Sequence, residues 1–141
     1  MIEFVVDGEP VTQAGTRAVI SGGGKTRQIS TGGKGLAYWR SRIASEAQEA
    51  MDGRPLLTGP LRLEATFTLP RPKSKAKRIH YPEGRPDVSK LVRALEDALS
   101  GIVYGDDAQV VTEIVAKRYE GDTGGRDKPG VAVRVSTESD E

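Results

Sequence analysis

Between Asp87 and Gly101 the apolar residues Val88, Leu91, Val92, Leu95 and Leu99 recur at spacings of three and four. That period predicts an amphipathic helix over Val88–Ser100, apolar on one side only and stopped by Gly101. Such a helix is unstable alone and needs a second apolar surface to lie on. Leu61, Leu63, Ala65, Phe67 and Leu69 supply one: they alternate with Arg62, Glu64, Thr66 and Thr68, the period of two of a half-buried strand, ended by Pro70. Ile2–Val6, Val110–Tyr119 and Val131–Val135 read as further strands, the last two joined by a Gly-rich turn over 121–130. Leu36–Met51, rich in Ala, Glu, Gln and Arg, reads as another helix, stopped by Asp52-Gly53 and Pro55. The order strand, helix, strand, helix, strand, strand predicts an α+β fold, a single-domain sandwich of a mixed β-sheet with two main helices. Its limits are expected at residues 1–135, with 136–141 an acidic flexible tail. Residues 21–35, containing six Gly, are expected to form a mobile loop, and 70–86 an extended loop dense in Lys, Arg and Pro.

Composition narrows the chemistry. The absence of Cys excludes disulfides, thiolate metal sites and a cysteine nucleophile, and fits a reducing compartment. No apolar run approaches the ~20 residues that span a bilayer, and no charged-then-apolar leader opens the chain. A soluble, intracellular protein is expected. The net charge of +1 conceals an asymmetry: from Arg71 to Arg93 eight basic residues face two acids. That segment is +6 in a chain whose remainder is −5.

Three acids stand in this basic neighbourhood. Asp87 opens the second helix, where a plain N-cap role would explain it; one carboxylate oxygen can cap while the other meets a cation. Asp106 and Asp107 follow the helix. An Asp pair is an ordinary turn signal, yet a turn needs one of them, and a bound cation would relieve the repulsion between two. Carboxylates among Lys and Arg suit a metal-dependent nuclease: the acids hold a divalent ion and the surrounding charge holds a polyanion. The basic run holding Lys73, Lys75, Lys77 and Arg78 is either a solvated face or a flexible arm for phosphate oxygens.

Other features carry less. Gly24-Lys25-Thr26 imitates a phosphate-binding loop, but Val19 stands where its first Gly is required. His80 is the single histidine, which rules out a histidine metal cluster within one chain. Tyr38 and Trp39 on the first helix are assigned to the core.

The pattern Arg85-Pro86-Asp87-x-Ser89-Lys90-Leu91, then Ala94-Leu95-x-Asp97-Ala98-Leu99, then Gly101-Ile102-Val103-Tyr104-x-Asp106-Asp107-Ala108-Gln109-Val110 resembles the RusA family of Holliday-junction resolvases, common in phages and prophages. The resemblance is dense over residues 80–119 and looser elsewhere. It implies a homodimer that binds branched, four-way DNA and cuts it by Mg²⁺-dependent phosphodiester hydrolysis, with Mn²⁺ as an alternative ion and no small-molecule cofactor. It also implies the cytoplasm of a bacterial or phage-infected cell, with roles in recombination and repair. Its acidic ligands fall on Asp87 and Asp107, with Asp106 beside them. Two positions depart from the family pattern. Ser89 stands where a second Asp is expected, and Arg93 where Lys is usual; Arg93 keeps the charge but forks differently and cannot give up a proton.

Mechanistically, the cation would polarise the scissile phosphate and lower the pKa of an attacking water, with Arg93 or Lys90 stabilising the developing charge. Lys73, Lys75, Lys77, Arg78, Arg85 and Lys90 are the expected DNA contacts, and Lys25, Arg27 and Lys34 of the Gly-rich loop would add to them. A helix of this length is ~20 Å long, so Asp87 and Asp107 fall too far apart to share an ion unless two chains pair with antiparallel helices. Val92, Leu95 and Leu99 are the expected seal of that dimer.

Three readings compete: a junction resolvase, a junction-binding protein of the same fold with weak or no cleavage because Ser89 replaces an acidic ligand, and a structural α+β domain whose acids are only caps and turns.

Overall fold

The computed structural model describes residues 1–13, 16–20, 26–30, 34–76 and 78–138. Four strands form one mixed sheet: β1 (Ile2–Asp7), β4 (Leu61–Leu69), β5 (Val110–Tyr119) and β6 (Gly130–Thr137), in the order β1-β6-β4-β5. β4 and β5 run parallel, while β6 is antiparallel to both β1 and β4. The parallel pair is joined by α2 (Val88–Leu99), the crossover that a parallel connection requires. α2 and α1 (Leu36–Met51) pack against each other, α1 also meeting β1 and α2 also meeting β5.

Alternation does what the sequence says. On β1, Ile2, Phe4 and Val6 are buried while Glu3, Val5 and Asp7 are exposed. Leu61, Leu63, Ala65 and Phe67 of β4 and Val131, Val133 and Val135 of β6 complete the same face, and Trp39, Ile43 and Ala47 of α1 close over it with Leu91, Leu95 and Leu99 of α2. α2 ends at Ser100 followed by Gly101, whose φ of 84° is the left-handed conformation that glycine tolerates best. Among the described residues no helix is long and apolar enough to cross a membrane.

Four expectations are corrected. Thr26–Ser30, inside the stretch expected to be an irregular mobile loop, is strand β3 and pairs with β2 (Thr16–Ile20) in an antiparallel hairpin. The glycines flanking it concealed a short strand; residues 21–25 and 31–33 lie outside the described residues. Val92, Leu95 and Leu99, expected to seal a dimer, are 7%, 0% and 0% exposed within one chain. The apolar stripe of α2 is spent on α1 and the sheet of its own chain and is not free for a second copy. Tyr38 is 72% exposed, against the core role given to it, whereas its neighbour Trp39 is buried. One helical residue separates them, about 100° of rotation, which carries Tyr38 off the packed face. At the C-terminus, β6 continues to Thr137 and Glu138 N–H donates to Pro60 O at 2.9 Å, so ordered backbone passes the expected start of the tail; 139–141 lie outside the described residues.

Candidate functional site

With its apolar side against the sheet, α2 turns Lys90, Arg93 and Asp97 outward along one stripe, spaced three and four residues apart. Asp87 sits at the N-cap position but its side chain makes no capping hydrogen bond; its backbone carbonyl accepts from Lys90 and Leu91 N–H at 3.2 and 3.1 Å. The bland explanation of this acid therefore fails. Its carboxylate is 53% exposed, with the Lys90 ammonium 3.6 Å away. It opens into a groove of about 610 Å³ whose charged lining is Lys34, Arg85 and Lys90, with Glu9 as the other acid.

The approach to Asp87 is held by a residue that sequence reasoning missed. Lys117 on β5 sends its ammonium to the carbonyls of Gly84 (2.6 Å) and Pro86 (2.9 Å), on either side of Arg85. The Arg85–Pro86 peptide is cis. Nothing in the sequence marks Lys117, because its partners are backbone oxygens about thirty residues away.

Beyond the far end of α2, a 3-10 turn (Asp107–Gln109) is built by a capping box. Asp106 Oδ1 accepts from Ala108 N–H at 2.9 Å, and Gln109 Oε1 accepts from the N–H groups of Gly105 and Asp106 at 3.0 and 3.1 Å. The amide nitrogen of Gln109 then donates to Leu57 O and Gly59 O, both at 3.1 Å, which ties the turn to the segment leading into β4. The Asp-x-x-Gln spacing could have revealed this box in advance. One oxygen of Asp106 is thus structural.

Asp107 has no such duty. Its carboxyl is pushed above the usual range, first by a hydrogen bond to the Asp106 side chain, then by desolvation and the charges of Asp106 and Asp97, with Arg93 opposing. The 3-10 turn that carries Asp107 is in contact with α2. Asp97 is itself tethered: Gln13 Nε2 donates to its Oδ2, and Gln13 N–H donates to Lys90 O at 3.2 Å. Tyr104, fully buried beneath, donates its hydroxyl to Glu96 O at 3.0 Å, and burial pushes its phenol far up.

The Asp106–Asp107 turn thus follows the C-terminal end of α2 and contacts that helix, while Asp87 stands with Lys90 and Arg85 at the N-terminal end. Arg93 and Asp97 stand about 9 and about 15 Å along the helix axis from Asp87. Among the described residues no three His, Asp or Glu side chains converge in one chain as a cation cage. Mg²⁺ does not need one, since it keeps waters and binds through one or two carboxylates plus substrate phosphates. The Asp106–Asp107 pair fits an ion of that kind, because two mutually repelling hard-oxygen donors are relieved by a divalent cation. Ser89 is exposed on the first turn of α2.

Of the expected DNA contacts, Lys73, Lys75, Arg78, Arg85 and Lys90 are all exposed. Lys34 joins Arg85 and Lys90 in the groove, while Arg27 sits on β3; Lys25 and Lys77 lie outside the described residues. The first cation of the basic segment, Arg71, behaves differently: it is half-buried and bonded to Asp122, which the exposed His80 also contacts.

An α+β sheet-and-helix domain with a carboxylate in a basic groove before a helix, and an Asp pair in the turn after it, has residues that suit a nuclease. Residues 7–136 match the family Endodeoxyribonuclease RusA, and the chain belongs to that family. A Bacillus subtilis protein, "Uncharacterized protein YqaN", is 30% identical over 128 residues, which span 84% of this chain and 87% of that one.

Proposed function

We propose that the protein is a structure-specific endodeoxyribonuclease that resolves four-way DNA junctions by paired, Mg²⁺-dependent phosphodiester hydrolysis. The observation that carries this reading is the exposed carboxylate of Asp87, not used as a helix cap and paired only with Lys90 among the described residues, in a groove charged by Lys34, Arg85 and Lys90. A structural acid would have taken the backbone N–H groups beside it.

Asp107, with the second oxygen of Asp106, and Asp87 are the residues that would hold the ion, which when bound polarises a phosphate and acidifies a water. Arg85, Lys90 and Lys34 draw the phosphodiester backbone into the groove. Arg93, whose charge opposes the rise of the Asp107 pKa, would offset negative charge building on phosphorus. Because Asp87 and Asp107 occupy opposite ends of α2, the economical arrangement has Asp87 of one copy completing the site around Asp106 and Asp107 of another. That also gives the two symmetric cuts which junction resolution demands. The contact must use surfaces other than Val92, Leu95 and Leu99.

The test is a nicking assay on a mobile four-way junction with Mg²⁺, with Mn²⁺ and with EDTA, run beside Asp107→Asn. Metal-dependent cuts lost in the variant support the reading; metal-independent or equal cutting refutes it.

A second reading, junction binding with weak cleavage, is favoured by the exposed Ser89 and by the lack, among the described residues, of a three-acid set within one chain. Ser89→Asp separates the two: a large gain in Mg²⁺-dependent cutting means that the natural site is impaired.

A further inference from the structure

The loop that follows β4 carries Lys73, Lys75 and Arg78 on its exposed outside, and its first cation, Arg71, is folded into its inside. Arg71 Nη1 donates to the carbonyls of Ala76 (3.2 Å) and Ile79 (2.7 Å), so one guanidinium holds the returning limb of the loop at two points. Its Nη2 donates to Asp122 Oδ2 at 2.9 Å, and its plane lies 4.6 Å from the centre of the Tyr119 ring. Asp122 comes from the turn between β5 and β6. It also accepts from Thr123 N–H at 2.8 Å and stands 3.0 Å from His80 Nδ1, at the far end of the loop. The Arg71 and Asp122 side chains are only 17% and 11% exposed. Thr123 N–H first, then His80 and Arg71, hold the Asp122 carboxyl below the usual range. Start and finish of the basic loop are therefore clasped to a single carboxylate on another element. The loop is a built platform and not the flexible arm its composition suggests.

We propose that Asp122 is a positioning residue for nucleic-acid binding: by anchoring Arg71 and His80 it presets the spacing of Lys73, Lys75 and Arg78 for a phosphate backbone. The proposal rests on the DNA-binding reading above. Its physical basis is preorganisation, since a loop ordered before binding does not lose that conformational freedom on binding. The consequence has an unusual sign. Removing an acid from a surface that binds a polyanion ordinarily tightens binding, through a more positive field. Here removing one weakens it.

Two measurements decide this. In the first, a fluorescently labelled four-way junction is titrated with protein in EDTA, so that no strand is cut. Asp122→Asn and the charge-conserving Arg71→Lys are each expected to weaken binding by about tenfold, the scale of a lost charge-assisted contact. Asp127→Asn, the same charge change at an exposed position of the same turn, is expected to leave binding equal or tighter. Equal or tighter binding by Asp122→Asn overturns the proposal. In the second, amide hydrogen exchange is followed without DNA. The Lys75 and Ile79 N–H groups, bonded to Pro72 O and Ala76 O at 3.0 and 2.9 Å, exchange faster in Asp122→Asn if the clasp orders the loop. Unchanged exchange overturns it, as does faster exchange with undiminished binding. Wild-type protein that binds neither junction nor duplex refutes the DNA-binding reading instead, and exchange then still reports on the clasp alone.

Discussion

At neutral pH Asp107 ionises against Asp106, whose hydrogen bond and charge push its pKa up. A carboxyl with a folded-state pKa above its unfolded value binds its proton more tightly when folded. Its ionisation therefore opposes folding, and the penalty, absent below the unfolded pKa, grows as pH rises through the folded value. Asp107→Asn should thus raise the Tm of metal-free protein at neutral pH and leave it nearly unchanged in acid, where Asp107 is already neutral. Calorimetry in EDTA at the two pH values checks this; a Tm lowered by the substitution at neutral pH refutes it. Added Mg²⁺ should stabilise the wild type more than the variant, since only the former has the crowded pair for the ion to relieve. Nicking should move the opposite way to stability. We expect Asp107→Asn to lose about a hundredfold or more, beyond the 10–100-fold cost of removing outer-shell partners of a metal. The same residue would then be a cost to the fold and a requirement for the reaction.

At the scale of elements, two connections do the positioning. The turn of Gly84–Pro86 hands Asp87 to α2 and is held from β5 by Lys117. Lys117→Met keeps the aliphatic stem and deletes the ammonium, so the sheet should survive while the turn loosens. We expect about a tenfold loss of cleavage rate at saturating junction, with affinity changed by less than about threefold, because misplacement of a reacting group costs rate before binding. Equal losses in both would reassign Lys117 to DNA binding. α2 itself divides its labour by face. Leu95 is fully buried, and Leu95→Ala should cost about 2–5 kcal/mol in denaturant unfolding, as for other buried large-to-small changes. Charge-removing changes at exposed Lys90 on the opposite face should leave unfolding within about 0.5 kcal/mol.

For the whole molecule, the exposed cations set the response to salt. Lys73, Lys75, Arg78, Arg85 and Lys90 are five outward charges; if each meets a phosphate, log affinity should fall with log salt at a slope of about −4 to −5. A flat response would remove the basic loop and groove from the DNA interface. Assembly is tested by mixing Asp87→Asn and Asp107→Asn proteins, each inactive alone. If one site draws its acids from two copies, a mixed pair contains one site with both native acids, and nicking of a single strand returns. If each site lies within one chain, every site in the mixture lacks an acid and no activity returns.

How far the sequence reached is clearest element by element. Local periodicity determined α2 and β4, because burial on one side of a regular element leaves a residue-by-residue imprint, and composition with its stop signals determined α1. The residues 85–110 pattern identified the family for the same reason: its chemistry is local to one helix and the turn after it. Hairpin partners and side-chain duties were not legible, because they depend on who stands opposite. Thr26–Ser30 becomes a strand only by meeting Thr16–Ile20. Val92 is buried within its own chain, and not left for a second copy, only once the core has assembled around α2. Asp87 and Asp106 are both acids beside helical turns, yet only Asp106 serves as a cap. Arg71 counts as one more positive charge along the chain, and packing against Tyr119 and Asp122 makes it a brace. Sequence sets which faces are apolar and which charges exist; tertiary contact decides which of those charges are spent within the fold and which remain for a ligand.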